Sequence, residues 1–580
     1  MPSPRAFIVA AARTAAGKNN GTLSTLHPAD LGAAVVNSLV GERTPDFDPS
    51  LVDDVIFGCV SQVGEQSCNV ARNVVLSSVL PMSVPGTAVD RQCGSSQQAI
   101  HFAAQAVMSG TQDIVIAGGV ESMSQVPIFS NVNGVKGMGM PNSEAAQAKY
   151  GPGGLYSQFV GKDLLHILPA HSACSMLHPQ PVAHDALPSR SLTSHAPEVL
   201  GPKGRCLQRF ATALSPGLGP WRHSLALLPS SALRSRALLS PLMLIPPLAL
   251  AHSSAHTTPL TPPLHSLFFS RSHLIHSIHS APPPHTLSIP PLVRRAVLLS
   301  CAPRLTRAAH DCSLYPLAPL LTCAAHSAGA EMMCGKYDLT RGDLDAFAAR
   351  SHARAAAAVE AGRFDEQIVA VEGFDREGNP VTHLLDEGVR KGTTAEKLGQ
   401  LDTLIDLGVF AAPMDAEYYG GGASGNITAG NASQIADGAA AVMVVNEEGL
   451  RKLGSTATPL AEIRSLGLAG TDPILMLDGP RYATTAALER AGLAIGDMDL
   501  YEVNEAFACV PLAWEKALGG DPSKLNVNGG ACALGHPLGG TGAKLMTQLV
   551  YELQRTQKRY GLLSICEGGG TANATIIERC

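Results

Sequence analysis

The sequence predicts an α/β fold built from two copies of one unit, with a foreign block set into the first half. Three observations predict it. Short apolar runs rich in Val and Ile, such as "DDVIFGCV", "DIVIAGGV", "AAAVMVV" and "GLLSICEGGG", are bounded by Gly or Asp, as buried strands are, and alternate with helical patterns. The stretch "TAVDRQCGSSQQAIHFAAQAV…DIVIAGGVES" returns in outline as "LNVNGGACALGHPLGGTGAKLMTQLV…GLLSICEGGG": strand, small-residue turn, helix, strand, Gly-rich loop. Residues Lys162–Gly329 share the composition of neither flank.

Taken in order, "AFIVAAARTAAGK" is an opening strand close to the N-terminus. It leaves no room for a cleavable leader before the fold, and the last residues, "IIERC", are not a peroxisomal address, so a cytoplasmic protein is expected. "VDDVIFGCVSQVG" and "MDLYEVNEAFACV" occupy matching places in the two copies. After Cys93, residues Ala99, Ile100, Ala103, Ala104, Val107 and Met108 recur at helical spacing, and Gly110 ends the run. "LDAFAARSHARAAAAVEAG" is an Ala-rich helix. Alternation of this kind argues for layered sheets and helices, and two packed copies bring their turns to one face, where α/β folds bind ligands.

Composition excludes several classes. At 45% hydrophobic and 16% charged, with a net charge of −6, the 580 residues are globular and carry no basic signature for nucleic acid. No window offers about 18 uninterrupted apolar residues, so no membrane span is expected. The best candidate, "ALLSPLMLIPPLALA" from Ala237, is short and holds three prolines. Thirteen Cys without an export signal or a CxxC pair point to neither disulfides nor zinc. The question is whether one of them is catalytic.

The foreign block is compositionally sharp. Its 168 residues hold 23 of the 41 Pro and 15 of the 20 His, but only 4 of the 48 acidic residues. With 13 basic residues its net charge is +9; the remaining 412 residues, with 29 basic and 44 acidic, carry −15. A stretch such as "HSLFFSRSHLIHSIHSAPPPHTLSIPPL" has neither helical nor strand periodicity, and disorder or a poorly packed excursion is expected of it.

Chemistry concentrates in the turns of the two copies. Cys93, in "VDRQCGSSQQA", lies at a strand-to-helix turn, where helix N–H groups lower a thiol's pKa; an activated thiol and a buried structural one both suit the position. His536, in "GGACALGHPLGGTG", is one of five His outside the block and lies in the corresponding turn, so Cys–His activation is open to it. Cys566 begins the triple-Gly loop "CEGGG", whose N–H groups suit either an oxyanion hole or a tight turn. Asn504 and Glu505, in "YEVNEAFA", end a strand; a helix cap is the alternative reading.

The ordered set "RQCGSS", "TAGNASQIADGAAA", "NEAFA", "GGACALGHPLGGTGAK" and "CEGGG" resembles the thiolases, over essentially all of residues 5–161 and 330–579. The resemblance implies a duplicated α/β/α/β/α fold with a loop subdomain over the site. It divides the chain into the first part of the N-terminal half (1–125), the start of the loop subdomain (126–161), the block (162–329), the rest of that subdomain and half (330–445) and the C-terminal half (446–580). It also implies an acyl-CoA C-acyltransferase that cleaves 3-ketoacyl-CoA or runs the reverse Claisen condensation. The alternatives are a biosynthetic acetoacetyl-CoA thiolase and a product inactivated by the block.

On that resemblance Cys93 is the acyl-accepting nucleophile and His536 its activator. Cys566 shuttles the α-carbon proton. Asn504 holds a water that completes one oxyanion hole with His536; the N–H groups of Cys93 and Gly568 form the other. Ser433, in "NASQ", matches a serine at the pantetheine, and Met476, in "DPILML", a methionine lining the acyl pocket. No metal and no bound organic cofactor are implied; CoA and acyl-CoA are substrates, and a homodimer or homotetramer is expected. Three departures border the acyl pocket: Ala15 in "RTA", where proline is frequent; Ser157-Gln158, where many acetoacetyl-CoA members carry His-Met; and Glu567, where a small or apolar residue is common.

In the family, a segment like "YSQFVG" runs directly into one like "AEMMCGKYDLTRGDLDAF". Here Gly161 and Ala330 bracket the block. Gly161-Lys162 can be encoded GGTAAG, containing a splice donor, and Ala328-Gly329 GCAGGN, containing an acceptor. Joining the outer letters restores "YSQFVGAEMM" in frame, so the block reads as a translated intron.

Overall fold

Nine principal strands and the helices between them follow the alternation of the sequence. A computed structural model describes residues 4–128, 130–133, 143, 145, 318–407, 425–454 and 457–580. The chain divides into two units, Met1–Pro179 with Cys301–Cys580, and Gln180–Ser300; every described residue belongs to the first. Most of the predicted block, residues 162–317, and the departures at Ser157-Gln158 lie outside the described residues.

The strands of the first half are β1 (Phe7–Thr14), β2 (Asp54–Gly58), β3 (Gly86–Val89), β4 (Ile114–Ser122) and β5 (Ala436–Val445). Those of the second are β6 (Ala461–Gly470), β7 (Leu500–Val503), β8 (Tyr560–Glu567) and β9 (Thr571–Arg579). They form one hydrogen-bonded sheet in the order β7-β8-β9-β6-β1-β5-β4-β2-β3. The duplication is explicit in the pairing. In the first half β2 runs parallel to both β3 and β4, while β4 meets β5, and β5 meets β1, antiparallel. In the second half β7 runs parallel to β8, and to Leu525 through a single bridge, while β8–β9 and β9–β6 are antiparallel. The two halves join where Phe7 and Ile8 of β1 pair with Glu462 and Ala461 of β6.

The helices that build the layers and the site are α1 (Pro28–Val40), α2 (Val70–Ser77), α3 (Ser95–Ser109), α4 (Ala318–Tyr337), α5 (Arg341–Glu360), α6 (Gly479–Ala491), α7 (Cys509–Leu518), α8 (Ala531–Leu534) and α9 (Thr541–Thr556). Helix α3 ends where its sequence predicts, at Gly110, whose φ of +72° costs glycine nothing. Helices α3 and α9 pack on each other and touch strands of both halves, so they form the central layer. Val70, Val74 and Leu31 cover the outer face of the first half, and Trp514, Leu477 and Ala483 that of the second. The layers thus run helix, strand, helix, strand, helix. Because α9 is enclosed on every side, even its Thr541, Lys544, Thr547 and Gln548 are buried, and each of these polar groups needs a partner or carries a penalty of about 1–3 kcal/mol.

Helix α4 crosses the predicted seam between Gly329 and Ala330 without a break, and Ser327 and Ala328 are as buried as the residues beyond it. The last turns of the predicted block therefore belong to the folded unit. A window of composition does not mark an edge: "APLLTCAAHSAG" is small and apolar enough for a helix, and its Pro319 falls in the first turn, where proline is tolerated.

Candidate active site

The turn that carries Cys93 is built by its own polar side chains. The Asp90 carboxylate accepts from the Gln92 N–H at 2.8 Å, and Ser95 Oγ accepts from the Arg91 N–H at 2.9 Å while donating to the Gln92 carbonyl at 2.6 Å. These bonds hold Gln92 at φ +48°, a left-handed conformation that costs a side-chain-bearing residue about 1–2 kcal/mol. Gly94 then leads into α3.

His536 is held with equal care. Its backbone N–H donates to the Gln434 carbonyl at 2.9 Å. Its Nδ1 lies 2.6 Å from Thr541 Oγ1, and that hydroxyl donates onward to the Pro537 carbonyl at 3.1 Å. With its proton directed to Pro537, Thr541 accepts from the ring, which goes with a proton on Nδ1 and an unprotonated Nε2 that accepts from Asn504. Burial, with help from Lys544 and His326, pushes the imidazole down to about 3, so it is neutral at ordinary pH. Asn504 Nδ2 approaches Nε2 at 3.5 Å, and Asn504 Oδ1 has no partner among the described residues.

Cys93, His536 and Ser433 line one cavity of about 270 Å³, whose other walls are largely apolar and include Leu404, Ile435 and Phe507. Cys566 does not line it, yet its thiol is near enough for its charge to raise that of Cys93. Gly568 is buried and opens the turn Gly568–Gly570 directly after β8. Met476, expected on the acyl-pocket wall, is not among the lining residues; it is buried at φ +61° in the core with Leu475 and Leu477. Ala15 is buried outside the cavity, and its carbonyl contacts His383 Nε2 at 3.1 Å.

The lowering expected for the Cys93 thiol does not occur. Burial pushes it well above the ordinary range, and the Cys566 thiol and Glu567 carboxyl push the same way; only a backbone N–H opposes them. A helix N-terminus is worth about 0.3–1 kcal/mol at most surface sites; Cys93 is half-buried, so burial acts on it with less than the roughly 3–5 pKa units of a fully enclosed group, in the opposite direction. Burial wins, so this thiol needs a base beside it. Cys566 is pushed up to about 12 in the same way, by burial first and Glu567 second.

Several supports were invisible in the sequence. Lys544 is buried, held down to about 8 mainly by burial, and donates to the Leu534 and Gly535 carbonyls at 2.6 and 2.9 Å, fixing the turn before His536. Glu121 accepts from the N–H groups of Val60, Ser61 and Gly539 at 2.9, 3.0 and 2.9 Å, so one carboxylate ties the first half to the turn after His536. Glu505 accepts from Ser351 Oγ, Asn526 Nδ2 and the Cys532 N–H at 2.7, 2.9 and 3.0 Å, a tie rather than a helix cap. His326 and Ser327 also line the cavity. Nothing in the sequence singled out His326 from the other histidines of the block.

A duplicated, layered fold with a Cys–His cavity between its halves defines a class, and comparison with known proteins names it. The family description "Thiolase, N-terminal domain" matches residues 6–163 and 302–448, and "Thiolase, C-terminal domain" matches 457–579. The chain belongs to the thiolase family and is an acyltransferase that acts on acyl-CoA. It is 33% identical to the steroid 3-ketoacyl-CoA thiolase FadA6 of Mycobacterium tuberculosis, over 99% of this chain and 94% of that protein. It is 30% identical to an acetyl-CoA acetyltransferase of Thiocystis violacea (99% and 98%) and 29% identical to a 3-ketoacyl-CoA thiolase of Bacillus subtilis (99% of each). Among the described residues no helix is long and apolar enough to cross a membrane, and no cluster of side chains could hold a metal ion.

Proposed function

We propose that the chain cleaves 3-ketoacyl-CoA thiolytically, and runs the reverse Claisen condensation, through a thioester on Cys93. The observation that carries this is a thiol and a neutral imidazole with an unprotonated Nε2 on the wall of one apolar cavity. His536 Nε2 takes the Cys93 proton, and the thiolate attacks the 3-keto carbon. The bond between C2 and C3 breaks, the acyl group stays on sulfur, and Cys566 delivers a proton to C2 of the departing acetyl-CoA enolate. CoA, entering along Ser433, gives its thiol proton to the Cys566 thiolate, its sulfur takes the acyl group from Cys93, and His536 returns its proton to the freed Cys93 sulfur. Asn504 and His536 stabilise one oxyanion, and the N–H groups of Cys93 and Gly568 the other, each donor being worth about 3 kcal/mol.

The apolar walls at Leu404, Ile435 and Phe507 favour acyl chains longer than acetoacetyl. A homodimer or homotetramer in the cytoplasm completes the reading. The test is thiolysis of acetoacetyl-CoA and of longer 3-ketoacyl-CoA by the pure protein. Cys93→Ala is expected to lose activity by on the order of 1,000-fold or more with its fold intact. Full activity in that variant sinks the mechanism. A preference for C4 returns the reading to a biosynthetic acetoacetyl-CoA thiolase, and inactivity of the parent to an inert product.

A further inference from the structure

Glu567 ends β8 directly after Cys566 and is 1% exposed. Its carboxyl rests against the nucleophile's turn: a Cβ placed on Gly94 would stand only 1.9 Å from Glu567 Oε1. With the Asn573 amide nitrogen turned toward the carboxyl, it donates to Oε1 at 3.1 Å, and the amide oxygen accepts from the Gln98 N–H at 3.3 Å. The Thr571 hydroxyl, which donates to the Gly568 carbonyl at 3.5 Å, lies near enough to favour the ionised carboxyl. Oε2 has no partner among the described residues. The charged and titratable groups facing this carboxyl are Asp90 and Arg91 of the turn, and the thiols of Cys93 and Cys566.

A carboxylate enclosed in this way lacks the donors an anion needs, so the neutral acid is the favoured form. Burial pushes Glu567 up to about 8, with Asp90 adding to the rise and Thr571 and Arg91 opposing it. Ionised, it would place a negative charge beside both thiols. We propose that Glu567 is a positioning residue that sets the alkaline limit of Cys93 activation: as a neutral acid it braces the Gly94 turn, and on ionising it disfavours the Cys93 thiolate. The inference rests on Cys93 as nucleophile. The step it governs is transfer of the Cys93 thiol proton to His536 Nε2, which leaves a thiolate and an imidazolium; the proton Glu567 loses goes to solvent.

The test is the rate at which iodoacetamide alkylates Cys93, forming a carbon–sulfur bond and releasing iodide, read at the Cys93 peptide by mass from pH 6.5 to 10. Wild type is compared with Glu567→Gln, which keeps the shape and stays neutral. Near pH 7 the two rates should agree within about twofold, and above pH 8 the wild-type curve should break and fall on the order of tenfold below the variant, the size of a one-unit shift in the thiol. Superimposable curves overturn the proposal. If Glu567→Gln does not fold, Thr571→Val serves. Removing a hydroxyl that favours the ionised carboxyl should move the wild-type break to higher pH, and an unmoved break overturns the proposal. Thiolysis is measured on the same samples. Diverging alkylation curves without any thiolysis would sustain the role of Glu567 and sink the proposed reaction, so the two readings fail separately.

Discussion

His536 shows how much a single hydroxyl decides. Because Thr541 Oγ1 donates to Pro537, it favours the tautomer that leaves Nε2 unprotonated, as the proposed mechanism needs. Thr541→Val is expected to lower kcat about tenfold with KM little changed, and Thr541→Ser to restore it; steady-state kinetics on the two variants decides. Glu567 makes a second residue-scale prediction. Folded, it holds its proton to about pH 8; unfolded, only to its ordinary value of 4.5. Between those values folding takes up a proton, so its contribution to stability falls as pH rises through that window and is level above it. Glutamine does not titrate. The unfolding free energy of Glu567→Gln relative to wild type should therefore grow from pH 5 to pH 8 and then hold constant; urea unfolding at pH 5, 7 and 9 reads it. Cys93 and His536 were legible because each lies in a turn whose small neighbours announce close approach. Thr541 and Lys544 were not. They are ordinary helix residues until the chain folds and α9 brings them under His536.

At the scale of elements, the duplication was legible in two stretches of matching pattern, and its pairing appears strand for strand. The contact between copies was not, because it depends on backbone passing backbone. Gly119 of β4 shows this: a Cβ there would stand 2.1 Å from the Gly539 carbonyl, three residues after His536. Gly119→Ala is expected to cost about 3 kcal/mol and to lose most activity, since the turn carrying His536 must move. Gly110→Ala is the counterpart. A Cβ there meets nothing within 4 Å, so only the left-handed backbone resists, at about 1–2 kcal/mol, and activity should persist. Urea midpoints and thiolysis on the two variants separate close packing from backbone strain.

For the whole molecule, the question is whether the block exists in the native protein. The family match skips residues 164–301 and resumes at 302, whereas composition draws the far edge at Gly329. We propose that the mature enzyme lacks Lys162–Gly329. The intact mass from its own cell should be roughly 43 kDa, scaled from 60.2 kDa for all 580 residues to the remaining 412. A mass of 60.2 kDa refutes this. The joined 412-residue chain should fold and turn over, because Cys93, Cys566 and His536, the residues of the proposed mechanism, lie outside the excised stretch.

The unbroken course of α4 through the seam makes that excision a replacement as well as a removal. Counting back from Ala330, the joined chain would put Gln158 where His326 stands and Phe159 where Ser327 stands. An imidazole and a small hydroxyl on the cavity wall would give way to an amide and a benzyl group. The processed enzyme would then keep its thiols and imidazole and present the acyl group with a different wall.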